Sequence, residues 1–177
     1  MITRYSFKIV VCGDYSVGKT SLLNSYVEKK FSTDYIPTLG VNVLRKEFTL
    51  GDDKFVKLIL WDIAGQDLFS SVRNQFYEGS DAVIIVYDVT RPESLESTKK
   101  WHSEILASNP KVKHVLLIGN KIDLARKVET FQGDQMAKQL NLNDFIETSA
   151  KTRVNVDDAF NNILKAVSYT HLRAHET

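Results

Sequence analysis

The sequence predicts an α/β fold: a mostly parallel six-stranded sheet with one antiparallel edge strand and helices on both faces. Three observations predict it. The apolar runs 7–11, 82–89 and 112–119 are nearly unbroken, as in strands buried on both faces, and stretches of helical period separate them. Segments 41–50 and 55–61 are joined across Gly51-Asp52-Asp53, a hairpin turn that sets one strand against the others. The first strand also runs straight into Gly13-Asp14-Tyr15-Ser16-Val17-Gly18-Lys19-Thr20, after which Leu22, Leu23, Tyr26 and Val27 recur at helical spacing.

Taken in order, the chain opens with a buried strand, Phe7, Ile9, Val10 and Val11, and the helix that follows the glycine loop. Residues 31–40 are polar and contain Pro37, so they read as a loop before the hairpin. A weak helix over 67–77 leads to the strand at 82–89. Pro92 stands where helices start, and Leu95, Thr98, His102 and Ile105 mark one face of the next helix. The strand 112–119, a short helix over 132–140 and a last strand over 144–148 follow. Asn155 is the expected N-cap of the final helix, whose apolar face is Val156, Ala159, Phe160, Ile163, Leu164 and Val167. From Ser168 the apolar spacing stops. Residues 1–167 are read as one domain and 168–177 as a tail, either a solvated helix end or non-native adapter sequence, outside the functional reading.

Composition narrows the class. With 177 residues, 43% hydrophobic and 25% charged, the chain is long enough to bury one full core. A net charge of +1 supplies no reason to expect nucleic acid as a partner. No apolar run approaches the ~18 residues of a membrane span. The single cysteine, Cys12, suits a reducing compartment and reads as a small buried hydrophobe. The four histidines show no ligand spacing with Cys or acidic residues.

The glycine loop matches G-x-x-x-x-G-K-[ST] in its required setting, after a strand and before a helix. A chance match in a chain this long is on the order of one in a hundred. Gly13 and Gly18 let the backbone of Asp14, Tyr15, Ser16 and Val17 curl, so that successive N–H groups converge on an anion at a helix N-terminus. Lys19 brings a point charge to the β- and γ-phosphates, and Thr20, followed by Ser21, places a hydroxyl for Mg²⁺. The strand over 56–61 ends in Asp62-Ile63-Ala64-Gly65-Gln66. There Asp62 is suited to hold Mg²⁺ through water, Gly65 to offer an unobstructed N–H to a γ-phosphate, and Gln66 to orient an attacking water. The strand over 112–119 ends in Asn120-Lys121-Ile122-Asp123. The Asp123 carboxylate can accept from guanine N1–H and NH₂, a donor pair adenine lacks, while the Lys121 stem covers the base. The last strand ends in Glu147-Thr148-Ser149-Ala150-Lys151, where the Ala150 N–H can meet the guanine carbonyl. Each short motif alone is a common polar turn; their succession at strand ends favours the nucleotide reading.

With GDYSVGKT, Tyr35-Ile36-Pro37-Thr38-Leu39-Gly40, WDIAGQ, NKID and ETSAK in order, the chain over roughly 5–167 resembles a small GTPase of the Ras superfamily, most similar to the Rab branch. The resemblance implies the P-loop NTPase fold of small GTPases. It implies that Thr38 closes on Mg²⁺ and the γ-phosphate, that Phe31 packs against guanine, and that Asn120, Ser149, Ala150 and Lys151 belong to the guanine site. It further implies an aromatic effector triad, of which Trp61 and Tyr77 are present while Val43 holds the third position. Tyr15, Asn42-Val43, Ile63 and Asp67 depart from the family pattern.

The expectation is a GTP-dependent switch with Mg²⁺ and slow hydrolysis to GDP, with Lys19 and Gln66 as catalytic residues. Exchange factors, activating proteins and effectors would engage about 31–45 and 62–77, and the protein would act as a monomer. The competing reading is a nucleotide-locked scaffold whose Tyr15 blocks hydrolysis; an ATPase or small-molecule kinase is disfavoured by Asp123. This chain shows no lipid-anchor motif, so the expected place is the cytoplasm, or a membrane surface if a native prenylated terminus is missing.

Overall fold

The computed structural model describes residues 2–27, 33–36, 41–63 and 70–175, with the side chains of 33–36, 50, 70–71 and 170–175 left aside. Strands β1 (Thr3–Cys12), β2 (Thr33–Ile36), β3 (Val41–Leu50), β4 (Lys54–Ile63), β5 (Ala82–Asp88), β6 (Val115–Asn120) and β7 (Asp144–Glu147) form one sheet in the order β2-β3-β4-β1-β5-β6-β7. β1, β4, β5, β6 and β7 pair in parallel, and β3 runs antiparallel to both β4 and β2. The mostly parallel architecture is the expected one. A seventh strand is added: β2 lies inside the stretch read as loop, because pairing with β3 (Thr33 opposite Leu44) supplies the order that its own polar residues do not.

Helices α1 (Lys19–Val27) and α6 (Val156–His175) cover one face; α2 (Ser70–Tyr77), α3 (Pro92–Glu96), α4 (Thr98–Ser108) and α5 (Thr130–Gln139) cover the other. Every residue of β5 and β6 is buried, whereas β4 alternates along its length. The difference follows from cover: β5 and β6 have helices on both faces, and at the β3–β4 hairpin one face meets water. The core divides accordingly. Phe7, Ile9 and Val11 of β1 join Leu22, Leu23, Phe160 and Ile163, while Val10 and Cys12 join Ile85, Trp101 and Ile105.

Three local expectations need correction. The helix from Pro92 is divided at Ser97, where the Ser97 hydroxyl donates to the Glu93 carbonyl at 3.0 Å and the Thr98 hydroxyl to Leu95 at 2.6 Å, competing with the helical ladder. Its core face includes Trp101 (1% exposed); His102 is only half-buried. Finally, α5 begins at Thr130, not Gln132, because Glu129 and Gln132 form a reciprocal capping box, with the Glu129 N–H donating to Gln132 at 2.7 Å. Asn155 does stand before α6: its carbonyl accepts from the Ala159 N–H, and its amide donates to the Glu147 carbonyl at 2.8 Å.

One buried charge ties the helices of the second face together. Arg73 of α2 is 2% exposed, and its Nε donates to Glu104 of α4 at 3.0 Å. Removing Glu104 would take away a buried carboxylate partner of this guanidinium and destabilise the packing of α2 on α4. Among the described residues no helix is long and apolar enough to cross a membrane.

Candidate functional site

Strands β1, β4, β6 and β7 all end at the same edge of the sheet, and the loops after β1, β6 and β7 emerge there. The first is held open by two glycines. Gly13 has φ +145°, and a Cβ there would lie 2.2 Å from the Val86 carbonyl oxygen; Gly18 has φ +94°, and a Cβ would lie 2.5 Å from Asn120 Nδ2. Ser16, at φ 63°, carries a side chain in the left-handed region between them.

Every carbonyl of this loop has a donor. Lys19 Nζ donates to Gly13 at 2.9 Å and to Asp14 at 3.1 Å. Arg91 donates to Tyr15 at 2.9 Å, Lys121 Nζ to Ser16 at 2.8 Å, Asn120 Nδ2 to Val17 at 3.1 Å and the Leu22 N–H to Gly18 at 2.8 Å. The carbonyl side is thus occupied by protein donors, and the N–H side is the one a curled backbone presents to an anion. Four of the six carbonyls are met by a lysine or arginine side chain, so positive charge surrounds the loop. Burial lowers the Lys19 pKa, opposed by Asp62, Cys12 and Asp14. The Tyr15 side chain is 65% exposed at the rim.

Beside Lys19, the Thr20 hydroxyl donates to Asp62 Oδ2 at 2.6 Å. Burial raises the Asp62 pKa, while the Thr20 hydrogen bond and Lys19 oppose the shift. A hydroxyl and a carboxylate in contact are hard oxygen donors, and two such groups leave room for phosphate oxygens and waters. That donor set fits Mg²⁺, which seldom takes an all-protein cage. Cys12, just before the loop, is buried and its thiol is pushed up to about 12 by desolvation, as suits an inert core residue.

At the other end of the site, Asn120 (1% exposed) is a joint. Besides donating to Val17, its Oδ1 accepts from the Thr148 hydroxyl at 3.0 Å and from the Ala150 N–H at 3.2 Å. The Ser149 hydroxyl donates to Asp123 Oδ1 at 2.7 Å. The three loops are therefore one hydrogen-bonded unit, and Asn120 and Ala150 face each other within it. Lys121, at φ 72°, arches over the rim, and Lys151 is exposed. Thr38, Phe31, Gly65 and Gln66 lie outside the described residues.

The sequence reading missed three residues. Asp88, at the end of β5 and 1% exposed, pairs with Lys121 Nζ at 2.9 Å and accepts from the Thr90 N–H and hydroxyl. Burial works to raise its pKa, but the Thr90 bonds and Lys121 hold it below the usual carboxylate range. Its signal was an acidic residue closing an otherwise apolar strand. Arg91 left no signal. The third is Phe76. Tyr77 is fully buried and donates to Glu104 at 3.3 Å, so it offers no surface, whereas Phe76 packs on Trp61 with ring centroids 5.3 Å apart. The aromatic pair near the hairpin face is Trp61 with Phe76, correcting the expectation for Tyr77.

The model of the Ras family matches residues 8–169. The chain is 40% identical over 168 residues to Ras-related protein Rab-7b of Paramecium octaurelia, covering 92% of this chain and 81% of that protein. It is 40% identical over 169 residues to the Ypt/Rab-type GTPase ypt7 of Schizosaccharomyces pombe, covering 92% and 82%. It is also 40% identical over 163 residues to Ras-related protein Rab7 of Drosophila melanogaster, covering 89% and 78%.

Proposed function

The chain belongs to the Ras family and is a Rab-like small GTPase, a GTP-binding switch that hydrolyses GTP to GDP; from that premise we propose that loop 13–20, Asp62 and the loops at 120–123 and 147–151 are its nucleotide site. The observation that carries the assignment is the set of donors on the carbonyls of residues 13–18, which turns the loop into an anion nest at the start of α1. Lys19 would leave its carbonyls for the stronger acceptor, phosphate. Asp123, steadied by Ser149, would accept from guanine, and Lys121, held between Asp88 and Ser16, would cover its face. Asn120 would act chiefly as the brace between the phosphate and base loops.

Thr20 and Asp62 would hold Mg²⁺, Asp62 through water, joined by Thr38; the ion supplies charge neutralisation on the phosphates. Gln66 would orient the attacking water, and Gly65 would offer its N–H to the γ-phosphate. Phe31, Ser149, Ala150 and Lys151 would complete the guanine side, and Ser21 the phosphate side. Regulators and effectors would engage about 31–45 and 62–77, with Trp61 and Phe76 as the aromatic contacts. The names of the relatives support a place in Rab-type membrane traffic. A scaffold locked on one nucleotide is the less favoured reading.

The test has two parts. Nucleotide extracted from the purified native protein should be GDP or GTP, and single-turnover hydrolysis should be slow but measurable. Gln66→Leu should reduce that rate by about tenfold or more while leaving GDP affinity within about twofold. An adenine nucleotide, or equal losses of rate and GDP affinity, would refute the assignment.

A further inference from the structure

Trp101 lies 87 residues from Asp14 in the chain, yet its indole N–H donates to Asp14 Oδ1 at 2.8 Å. We propose that Trp101 is a positioning residue for the phosphate loop, and that Arg73 makes its hold depend on where α2 sits. The inference rests on reading loop 13–20 as the nucleotide phosphate site.

The geometry forms a continuous chain. Trp101 is 1% exposed, so its bond to the Asp14 carboxylate is charge-assisted and shielded on the indole side. Asp14 in turn lends its carbonyl to Lys19 Nζ at 3.1 Å and to the Val17 N–H at 3.4 Å. Fixing the Asp14 side chain therefore steadies the phosphate-loop backbone at the residue whose carbonyl closes the turn onto Val17. Over the face of the indole, the Arg73 guanidinium lies 4.7 Å from the ring centre, within reach of a cation–π contact. Glu104 holds Arg73 at 3.0 Å and the Tyr77 hydroxyl at 3.3 Å.

The spacing on both helices suits this. Arg73 and Tyr77 are four apart on α2, Trp101 and Glu104 three apart on α4, so each pair shares one helical face. An indole N–H in a core needs an acceptor, and a helix carbonyl would serve. Here the acceptor belongs to the phosphate loop, which a purely structural tryptophan does not require. Because α2 follows directly on the segment holding Gly65 and Gln66, a shift of α2 would move Arg73 against the ring that steadies Asp14. The phosphate loop and α2 are thereby coupled through α4.

The experiment measures dissociation of fluorescent GDP and of a non-hydrolysable GTP analogue, with Mg²⁺ present. It uses native protein, Trp101→Phe, Asp14→Ala, Asp14→Asn and the Trp101→Phe/Asp14→Ala double variant. Trp101→Phe keeps a ring under Arg73 and deletes only the N–H donor; it should speed release of both nucleotides about tenfold. Asp14→Ala should do the same, Asp14→Asn should restore most of the hold, and the double variant should release no faster than either single. Arg73→Met combined with Glu104→Gln, which leaves no stranded charge, should change the ratio of GDP to analogue release about threefold. The same pair in a Trp101→Phe background should change it less.

Independent, multiplying effects of Trp101→Phe and Asp14→Ala would overturn the positioning role, as would native-like release from both. If Trp101→Phe fails to fold, the contrast between Asp14→Ala and Asp14→Asn reads the same link: equal release from those two overturns it. A ratio unmoved by the Arg73/Glu104 pair overturns the coupling to α2. Native protein that holds no guanine nucleotide refutes the site assignment itself, whereas normal binding with indifferent variants refutes only this inference.

Discussion

The two ends of the proposed site, the base end and the phosphate end, are held by different chemistry. At the base end, Asn120, Thr148 and Ser149 are almost fully buried and bonded to one another's loops, with Asp123 on Ser149. At the phosphate end, Lys19 rests on the carbonyls of Gly13 and Asp14, and Thr20 rests on Asp62. On the proposed reading a phosphate oxygen would be the stronger acceptor for Lys19, and a divalent ion would draw on Thr20 and Asp62, so each contact would be remade on binding. The difference teaches which end sets what. On the proposed reading, the buried, neutral-braced end would select the base, and the charged end would set affinity and its dependence on metal.

Breaking the base end should change identity. Asp123→Asn should weaken GTP binding by about 10⁴-fold and create binding of xanthosine nucleotides, whose 2-oxo group accepts from the new amide. Titration with both nucleotides checks this; unchanged GTP affinity would remove Asp123 from the site. Breaking the phosphate end should change strength without changing choice. Chelating Mg²⁺ should speed GDP release by about tenfold or more, while preference for guanine over adenine persists. Stopped-flow release followed by competition with ATP separates those quantities, and a lost base preference would mean the two ends are not independent.

The smallest effect is expected at Tyr15, which is exposed at the rim and whose carbonyl accepts from Arg91 at 2.9 Å. Its ring would stand near a γ-phosphate, in the way of an arginine supplied by an activating protein. Tyr15→Gly and Tyr15→Ser should leave GDP affinity within about twofold and raise stimulated hydrolysis severalfold. Single-turnover assays with and without a cell extract measure it. Equal stimulation of native protein and both variants would end the idea of a gate.

By itself the sequence determined what depends on neighbours in the chain. The strand–loop–helix around Gly13–Thr20, the unbroken apolar β5 and β6, the alternating hairpin and the polar tetrapeptides at the strand ends all follow from residue type and period. Short-range sterics and burial periodicity act within a few residues, so they are legible without coordinates. Tertiary structure alone decided the rest. The short β2 exists through its pairing with β3, and the reversal between Tyr77 and Phe76 depends on where Glu104 stands. The donors that close the loop's carbonyls come from 76 residues away for Arg91, 103 for Asn120 and 105 for Lys121. An arginine, asparagine or lysine has no local signature for a partner so distant. Which carbonyl it meets is settled only when sheet order brings β5 beside β1 and β6 beside β5.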